Sequence, residues 1–351
     1  MIRIKLVHKD TLSCEPIVRR TGDGSLLLVS QCGDTYEPAP GNRVFFFHSY
    51  DNGETWTPPE KIYPEDKNAV YCTEVSIIGE KITAYLTIHN GQFLNWRSIM
   101  MVSTDNGHTW TNKGPCPFLE TYTFVRGKIE LKNGNILIPY QHYPVSEAEN
   151  ERLLEKYAGK YKPNGKLFHV GRTDVRIDYV DTGVLLSRDG GETFSKQSCP
   201  AFNIRGDTGL PWIWSEPTLA ELSDGRIAML IRVKNEVLWY SESTDGGLSF
   251  SEFRKTDIPN PSCKPKLINL PDGKIALIHN GNSAKRNPFS LWISDDDMKT
   301  WKYKYIISDF PLNFDYPDGF YENGSLYISI ELQRRDILFI EIPMDSLPDA
   351  L

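Results

Sequence analysis

The stretch Ser49–Trp56 reads SYDNGETW, and its recurrence decides the fold. In a tight turn of this composition the Ser and Asp side chains bond nearby backbone N–H groups, Gly supplies a positive φ, and the aromatic residue packs back onto a sheet. We therefore interpret these residues as structural rather than catalytic. The other copies are STDNGHTW at Ser103–Trp110, SRDGGETF at Ser187–Phe194, STDGGLSF at Ser243–Phe250 and a degraded SDDDMKTW at Ser294–Trp301, with Met298 in place of Gly.

A second pattern, a strand followed by a glycine-containing turn and a strongly apolar strand, indicates a β-hairpin. Copies of it begin at Glu15, Thr73, Arg126, Glu216, Lys264 and Tyr316. The Asp residues of successive turn copies fall at positions 51, 105, 189, 245 and 297, in steps of 54, 84, 56 and 52. One unit therefore spans about 54 residues, and the long step carries an extra segment of roughly 30.

Six such units with no helical period between them predict an all-β fold, a six-bladed β-propeller of four-stranded antiparallel sheets. We expect one domain over residues 1–351, closed by pairing of IRIKLV near the N-terminus with the final strand DILFIEI. The extra segment, about 144–181, interrupts the third blade and contains a helix-like stretch, SEAENERLLEKYAGK. It is either a surface excursion or a lid or subunit contact near the mouth of the pocket.

Composition excludes several classes of function. The chain has 39 Lys and Arg against 46 Asp and Glu, a net charge of −7, which argues against nucleic-acid binding. No apolar run approaches the roughly 18 residues of a membrane span, and the start, MIRIKLVHKD, lacks an apolar signal core. We therefore expect a cytoplasmic protein with reduced, isolated cysteines. No zinc-like spacing of Cys and His and no nucleotide-binding motif occurs, so no metal or cofactor is expected.

The turn copies resemble the Asp boxes of the sialidase (neuraminidase) superfamily, and the hairpin pattern resembles its propeller over almost the whole chain. The charged residues of the last three blades also match that family in order and spacing. Glu216 in WSEPT matches the general-base Glu, and Arg232 follows it by 16 residues, as does the family's carboxylate-binding Arg. Arg286 matches a further Arg, Tyr316 the nucleophilic Tyr, and Glu331 the final Glu of the series.

Symmetry of the repeat independently brings these positions together. The inner strands begin near Glu15, Arg126, Glu216, Lys264 and Tyr316. The strands paired with them end at Asp34, His89 and Asn90, Gln141 and His142, Arg232, His279 and Asn280, and Glu331. We expect all of these residues to ring one mouth of the central channel. A concave site with convergent ionisable groups is a ligand-binding site by default.

The resemblance implies an exo-acting, retaining glycoside hydrolase that acts on an oligosaccharide or glycoside and removes a terminal, acidic sugar. Sialidases use Tyr rather than a carboxylate as nucleophile, and Tyr316 takes this role here. Glu216 would accept the phenolic proton, and Arg232 and Arg286 would clamp a sugar carboxylate. Glu331 would orient an arginine of the pocket.

The acid/base candidate is Asp34, in the loop QCGDTYEP, with its pKa raised by burial under bound sugar. Two alternatives remain. One is a non-catalytic carbohydrate-binding propeller. The other is a polysaccharide lyase acting on uronate-containing glycans, in which a Tyr or a His such as His142 or His279 abstracts a proton alpha to a carboxylate.

The sequence departs from the family at the first inner strand, where sialidases place an Arg two residues before a Pro. Here Cys14 and Glu15 precede Pro16. We expect Arg126 and Lys264 to restore positive charge at the ring. A carboxylate at Glu15 would repel a sialic acid, which favours another acidic or a neutral sugar.

Overall fold

Six antiparallel sheets surround a central axis in the computed structural model, which confirms the predicted six-bladed propeller. The structure describes residues 1–64, 67–158, 175–177, 179, 181–201, 214–234 and 236–348. Strand β1 (Arg3–Lys9) begins the chain and belongs to the last blade. Within each blade the strand nearest the axis comes first and the outermost strand last, except in the sixth.

The first three blades contain the following strands, in chain order. Blade 1 is formed by β2 (Ser13–Arg20), β3 (Leu26–Cys32), β4 (Arg43–Ser49) and β5 (Glu60–Lys61). Blade 2 is formed by β6 (Ala69–Ile78), β7 (Lys81–His89), β8 (Arg97–Ser103) and β9 (Thr111–Pro115). Blade 3 is formed by an inner strand in two pieces, β10 (Thr123–Val125) and β11 (Ile129–Glu130), with β12 (Ile136–His142), β13 (Asp181–Ser187) and β14 (Ser195–Ser198).

The second half repeats the arrangement. Blade 4 is formed by β15 (Pro217–Glu221), β16 (Ile227–Ile231), β17 (Glu236–Ser243) and β18 (Arg254–Asn260). Blade 5 is formed by β19 (Lys266–Asn269), β20 (Ile275–Asn280), β21 (Phe289–Ser294) and β22 (Tyr303–Ser308). Blade 6 is formed by β23 (Phe314–Glu322), β24 (Ser325–Leu332), β25 (Asp336–Pro343) and β1. Short 3₁₀ turns cover Pro271–Gly273 and Met344–Ser346.

Pairing of the two ends of the chain closes the ring, as predicted. Strand β1 lies antiparallel to β25, with Arg3 opposite Glu341 and Leu6 opposite Leu338. The sixth sheet therefore takes its outer strand from the N-terminus and its three inner strands from the C-terminus. Radial closure of this kind leaves only short strand edges unpaired.

The turn copies adopt the geometry that their chemistry predicts. In the first, Ser49 Oγ accepts a hydrogen bond from Gly53 N at 2.7 Å. The Asp51 carboxylate accepts bonds from the backbone N (2.8 Å) and hydroxyl (2.6 Å) of Thr55. The ring of Trp56 packs edge-on against Phe339, with the centroids 5.4 Å apart. The boxes are structural turns that fasten each blade to its neighbour.

The fifth turn copy corrects one sequence assignment. Asp297 was aligned with the box aspartates, but Asp296 makes the box contacts, to Ser294 at 2.9 Å and to the Thr300 hydroxyl at 2.7 Å. Asp297 instead accepts bonds from Ser223 N and Oγ, both at 2.7 Å. The register is therefore one residue earlier than the spacing indicated. Met298 occupies the glycine position with φ of 63°.

Blade 3 carries the predicted insertion between β12 and β13, and its helix-like stretch forms helix α1 (Glu147–Tyr157). Ser146 caps the helix by accepting a hydrogen bond from Glu149 N at 3.2 Å. Leu153 is buried in the apolar cluster that joins blades 2, 3 and 4. Within the described part of the chain, no helix is long and apolar enough to cross a membrane. Residues 159–174 of the insertion lie outside the described residues.

Apolar side chains fill the spaces between blades. All six cysteines are buried free thiols. Ile17 and Leu27 of blade 1 pack with Val75 and Ile82 of blade 2. The face of each sheet is thus covered by its neighbour, whereas the ends of the inner strands and the channel remain polar. This division leaves the channel mouth as the place where ionisable groups converge.

Candidate active site

Five ionisable or phenolic side chains from the inner strands meet at one end of the channel, as the repeat symmetry predicts. Arg126 forms an ion pair with Glu15, and its second nitrogen lies 3.5 Å from Glu216 Oε1. Lys264 Nζ lies 3.9 Å from Glu15 Oε2, and its ammonium lies 5.7 Å from the ring centroid of Tyr316. Blades 1, 3, 4, 5 and 6 therefore contribute to a single polar cluster.

Arg232 connects the two residues predicted to carry out the chemistry. Its Nη1 donates to Glu216 Oε2 at 2.7 Å and to the phenolic oxygen of Tyr316 at 3.0 Å. Among the described residues, Tyr316 and Glu216 make no hydrogen bond to each other. The direct contact expected from the sequence is thus replaced by a bridge through one guanidinium nitrogen.

Three cations surround the ring of Tyr316. The guanidinium carbons of Arg232 and Arg286 lie 5.8 and 5.6 Å from its centroid, and the Lys264 ammonium lies at 5.7 Å. Burial raises the pKa of the phenol above its ordinary value, against the opposing effect of the Arg232 charge. The tyrosine is therefore a neutral phenol in the resting site, because burial outweighs the charges of Arg232 and Arg286 that favour its anion.

Arg286 is fixed on the side of the pocket formed by blades 5 and 6. Its Nη1 donates to Asp315 Oδ1 and its Nη2 to the carbonyl of Ser262, both at 2.9 Å. The hydroxyl of Ser262 in turn accepts a hydrogen bond from Arg232 Nε at 3.2 Å. Ser262 therefore holds the two predicted carboxylate-binding arginines next to each other.

Glu331 is completely buried beside the first inner strand. Its Oε2 accepts a hydrogen bond from Glu15 N at 2.7 Å, and its Oε1 lies 3.9 Å from Arg334 Nε. Burial and the nearby charge of Asp315 raise the pKa of this carboxyl well above its usual range. Among its described contacts, Glu331 holds the backbone of Glu15, and its role in orienting an arginine of the pocket stays a prediction.

Two residues of the site occupy strained backbone conformations at equivalent places in blades 1 and 6. Glu15 has φ of 48° and Tyr316 has φ of 52°. In each blade the register of the hairpin shifts at this point, between Cys14 and Ile17 and between Asp315 and Asp318. A left-handed residue inside a strand costs roughly 1–3 kcal/mol and clusters at functional sites. The two bulges place both side chains among the cations of the pocket.

Asp34 lies in the loop between β3 and β4, with its carboxylate turned toward its own loop. Oδ1 accepts a hydrogen bond from Thr35 N at 2.7 Å, and Oδ2 accepts one from Gly41 N at 3.2 Å. The Asp34 carboxylate is close enough to Tyr71 to raise the pKa of that phenol, although burial is the larger cause. The hydroxyl of Tyr71 also donates to Asn42 Oδ1 at 3.0 Å, which joins blade 2 to the loop that carries Asp34.

Several residues expected at the mouth face elsewhere, because neighbouring strand residues point to opposite sides of a sheet. His142 Nδ1 lies 3.1 Å from Asp181 Oδ2 on the adjoining strand of blade 3. His279 is buried edge-on against Trp292 at 4.5 Å, and burial lowers its pKa to about 3. The Nδ1 atom of His89 accepts bonds from two backbone N–H groups of its own loop.

Sequence reasoning missed some neighbours of the pocket. Asp315, the partner of Arg286, directly precedes the predicted nucleophile and could have been found from that position. Tyr143 and Tyr71 are buried close enough to the site to exchange electrostatic influence with Arg126 and Tyr316, respectively. Arg334 comes from an exposed hairpin turn, where no pattern in the chain distinguishes it.

Ion pairs fill the channel below the pocket. Arg19 lies two residues after Ile17 in β2, on the same face of the strand. It pairs with Asp318 and lies 3.0 Å from Glu74. Lys266 lies 2.9 Å from the other oxygen of Asp318. Arg20, the next residue after Arg19, instead pairs with Glu322 at 2.8 Å. In the described part of the chain, no group of three His, Cys, Asp or Glu residues is placed to hold a metal ion.

A six-bladed propeller with Asp-box turns and a charged pocket at one end of its axis has the architecture of sialidase-like proteins. A family model for the BNR repeat-like domain matches residues 67–328, so the chain belongs to that family. No curated protein sequence matches the chain.

Solved structures share the fold at low sequence identity. A Hadza microbial sialidase is 16% identical with a TM-score of 0.71, covering 97% of this chain and 67% of its own. A protein of unknown function from Dyadobacter fermentans is 16% identical with a TM-score of 0.69, covering 97% of this chain and 98% of its own. The NanB sialidase of Streptococcus pneumoniae is 15% identical with a TM-score of 0.66, covering 98% and 71%. These identities establish the common fold alone.

Proposed function

We propose that this protein is an exo-acting, retaining glycoside hydrolase that removes a terminal sugar with Tyr316 as nucleophile. The observation that carries the proposal is the bridge formed by Arg232, whose Nη1 donates to both Tyr316 and Glu216. A buried phenol beside a carboxylate and a guanidinium can act as a nucleophile when a substrate is bound. The carboxylate can accept the phenolic proton, and the guanidinium can stabilise the negative charge that develops on the oxygen.

In the first step, the phenolic oxygen of Tyr316 attacks the anomeric carbon while its proton passes to Glu216. The phenolic oxygen already accepts a hydrogen bond from Arg232 Nη1, and the same nitrogen donates to Glu216. The bond from the anomeric carbon to the leaving oxygen breaks, and Asp34 donates a proton to that oxygen. The positive charges of Arg232, Lys264 and Arg286 stabilise the developing phenolate.

In the second step, water replaces Tyr316 at the anomeric carbon. Asp34, now a carboxylate, accepts a proton from the water, and Glu216 returns its proton to the leaving phenolate. Two inversions give net retention of configuration. For this role Asp34 must turn from Thr35 N and Gly41 N toward the substrate.

The charges of the pocket bear on which sugar is accepted. Arg232 and Arg286, joined through Ser262, form the surface on which we place an acidic group of the substrate. Glu15 keeps a lowered pKa despite burial, because the charges of Arg126 and Lys264 outweigh the cost of desolvation. Its negative charge offsets one cation of the site, which favours another acidic sugar or a neutral sugar over sialic acid.

The ion pairs below the pocket support exo action. Arg19, Glu74, Lys266 and Asp318 fill the channel beneath the pocket. A substrate that enters from the mouth therefore meets a closed end and can present only a terminal residue to Tyr316. Cytoplasmic location, and the short oligosaccharide substrates that it implies, stay predictions of the sequence.

The proposal is tested by a screen of fluorogenic glycosides and acidic oligosaccharides, with mass spectrometry of the products. Tyr316→Phe should abolish turnover without changing the melting temperature, whereas Tyr50→Phe, at an exposed tyrosine, should leave the rate unchanged. NMR of the first product should show the anomeric configuration of the substrate. An unchanged rate in Tyr316→Phe would remove the nucleophile.

Two other products of the same screen would point to the alternatives. Saturable glycan binding without any product would indicate a non-catalytic binding propeller. An ultraviolet-absorbing, unsaturated uronate would indicate a lyase. His279, one of the bases considered for a lyase, is buried against Trp292, and His142 pairs with Asp181.

A further inference from the structure

Arg334 lies in the turn between β24 and β25, where two successive residues, Gln333 and Arg334, have left-handed φ values of 57° and 55°. The turn directs the guanidinium toward blade 1, where it forms an ion pair with Glu37. Its Nε also lies 3.9 Å from Oε1 of the buried Glu331. Arg334 therefore spans the junction between the first and last blades at the rim of the pocket.

Glu37 belongs to the loop that carries Asp34, residues 33–42, which we call the Asp34 loop. Asn42 holds this loop from within: its Nδ2 donates to Gly33 O and its Oδ1 accepts from Ala39 N, both at 2.8 Å. The loop is thus a compact body with its own internal hydrogen bonds. Its position relative to the pocket depends on contacts with the rest of the protein.

Contacts from three directions fasten the Asp34 loop. The hydroxyl of Tyr71, in blade 2, donates to Asn42 Oδ1 at 3.0 Å. The hydroxyl of Thr11, before blade 1, donates to the carbonyl of Asp34. Arg334 supplies a contact from blade 6, the blade that also carries Tyr316. It therefore links the loop of the predicted acid to the sheet of the predicted nucleophile.

From this geometry we propose that Arg334 is a positioning residue, whose ion pair with Glu37 sets the Asp34 loop in place relative to Tyr316. This inference rests on the proposed function for its catalytic consequence, but the positioning of the loop can be measured without a substrate. The Arg334 side chain is 37% exposed and that of Glu37 is 14% exposed. A partly exposed pair adds little to global stability, so the effect of losing it is local.

The first test measures the loop directly. Arg334→Ala and Glu37→Ala should each raise amide hydrogen exchange in residues 33–42 while the melting temperature changes little. The matched control is Arg335→Ala, because Arg335 pairs at 3.0 Å with Asp336 in its own hairpin. Exchange in the loop that equals wild type in Arg334→Ala would overturn the proposal. An increase in Arg335→Ala equal to that in Arg334→Ala would do the same.

The second test measures catalysis. Because misplacement by about 1 Å can cost two orders of magnitude in rate, Arg334→Ala should lower kcat by about tenfold or more with KM within about twofold. The limb of the pH–rate profile that reports the acid, Asp34, should shift. The double variant Arg334→Ala with Glu37→Ala should be no slower than either single variant, because both substitutions remove the same ion pair.

The outcomes separate this inference from the proposed function. A rise in KM for anionic substrates alone, with Glu37→Ala unaffected, would show that Arg334 contacts the substrate and would overturn the positioning role. Faster loop exchange in a protein that hydrolyses no glycoside would support the positioning of the loop and contradict the proposed enzyme. Restored kcat in the charge swap Arg334→Glu with Glu37→Arg would support the pair.

Discussion

Nη1 of Arg232 lies 3.0 Å from the phenolic oxygen of Tyr316, to which it donates a hydrogen bond. The same nitrogen lies 2.7 Å from Glu216. One donor thus sets the distance between the two groups that must exchange a proton. The guanidinium also donates to the phenolic oxygen, so the position of Arg232 determines how that oxygen is oriented for attack.

Arg232→Lys should therefore reduce activity although it preserves the charge. A single ammonium cannot reproduce the planar set of donors that reaches Glu216, Tyr316 and Ser262 together. We expect kcat/KM to fall by about 10²–10³-fold, the range found when one preorganised donor is removed. Steady-state kinetics would check this. Activity within about twofold of wild type would contradict the bridge, and Lys255→Arg, at an exposed site, is the control.

Glu15→Gln should change which substrates are preferred. The amide keeps the shape of the side chain but removes the negative charge paired with Arg126 and near Lys264. We expect KM for a carboxylate-bearing glycoside to fall by about 5–10-fold, the effect of removing a like charge worth about 1 kcal/mol. A neutral glycoside should show unchanged KM. The control Glu322→Gln removes an equal charge at the far end of β23, and an identical effect there would contradict a local cause.

Glu331→Gln should alter how stability depends on pH. The folded-state pKa of Glu331 is raised by burial, so between the unfolded pKa near 4.5 and that higher value the folded protein binds more protons than the unfolded chain. Stability is therefore lost as pH rises through this range. Urea unfolding at pH 5 and pH 8 should show a smaller loss in the variant than in wild type.

Burial also raises the pKa of Asp315, which is unchanged in the Glu331→Gln variant. Part of the dependence of stability on pH should therefore persist. The amide oxygen can still accept the hydrogen bond from Glu15 N, which keeps the fold intact. Equal losses in the two proteins would show that Glu331 is ionised in the fold.

Gly53→Ala should destabilise the protein far more than Gly24→Ala. Both glycines have left-handed φ, 88° and 85°, so each substitution costs about 1 kcal/mol in backbone strain. A Cβ at position 53 would overlap the ring of Phe339, whereas nothing lies within 4 Å of one at position 24. Overpacking adds about 1–3 kcal/mol. Chemical denaturation measures the difference, and equal losses would contradict close packing of the Asp box.

The fold was predictable because its signals are local. Turns such as Ser49–Trp56 specify their own hydrogen bonds, and alternating strands specify their pairing, so the six hairpins and the closure by β1 follow from the chain. The prediction for the degraded copy is wrong by one residue because Asp295, Asp296 and Asp297 are consecutive carboxylates. Asp296 stands two residues after Ser294 and four before Thr300, as in the other copies, and it makes the bonds to both.

The site was predictable only in part. Repeat symmetry brought Glu15, Arg126 and Tyr316 to one mouth, but strand alternation turned His142 toward Asp181 instead. The bulges at Glu15 and Tyr316 shift the register in a way that no periodicity reveals. Arg334 acts across the junction of two blades, and a contact between such distant parts of the chain has no local signature.

Closure by β1 also sets the order in which this protein can be completed. The ribosome releases Arg3–Lys9 first and Asp336–Pro343 last, yet these strands pair with each other. The sixth sheet therefore remains unfinished until Asp336–Pro343 has been synthesised, while its neighbours can already assemble. Tyr316 belongs to this sixth sheet and Glu15 to the first sheet, which follows β1 along the chain. The pocket is therefore complete only after the sixth sheet has formed, and a partly folded propeller lacks the full set of reactive groups.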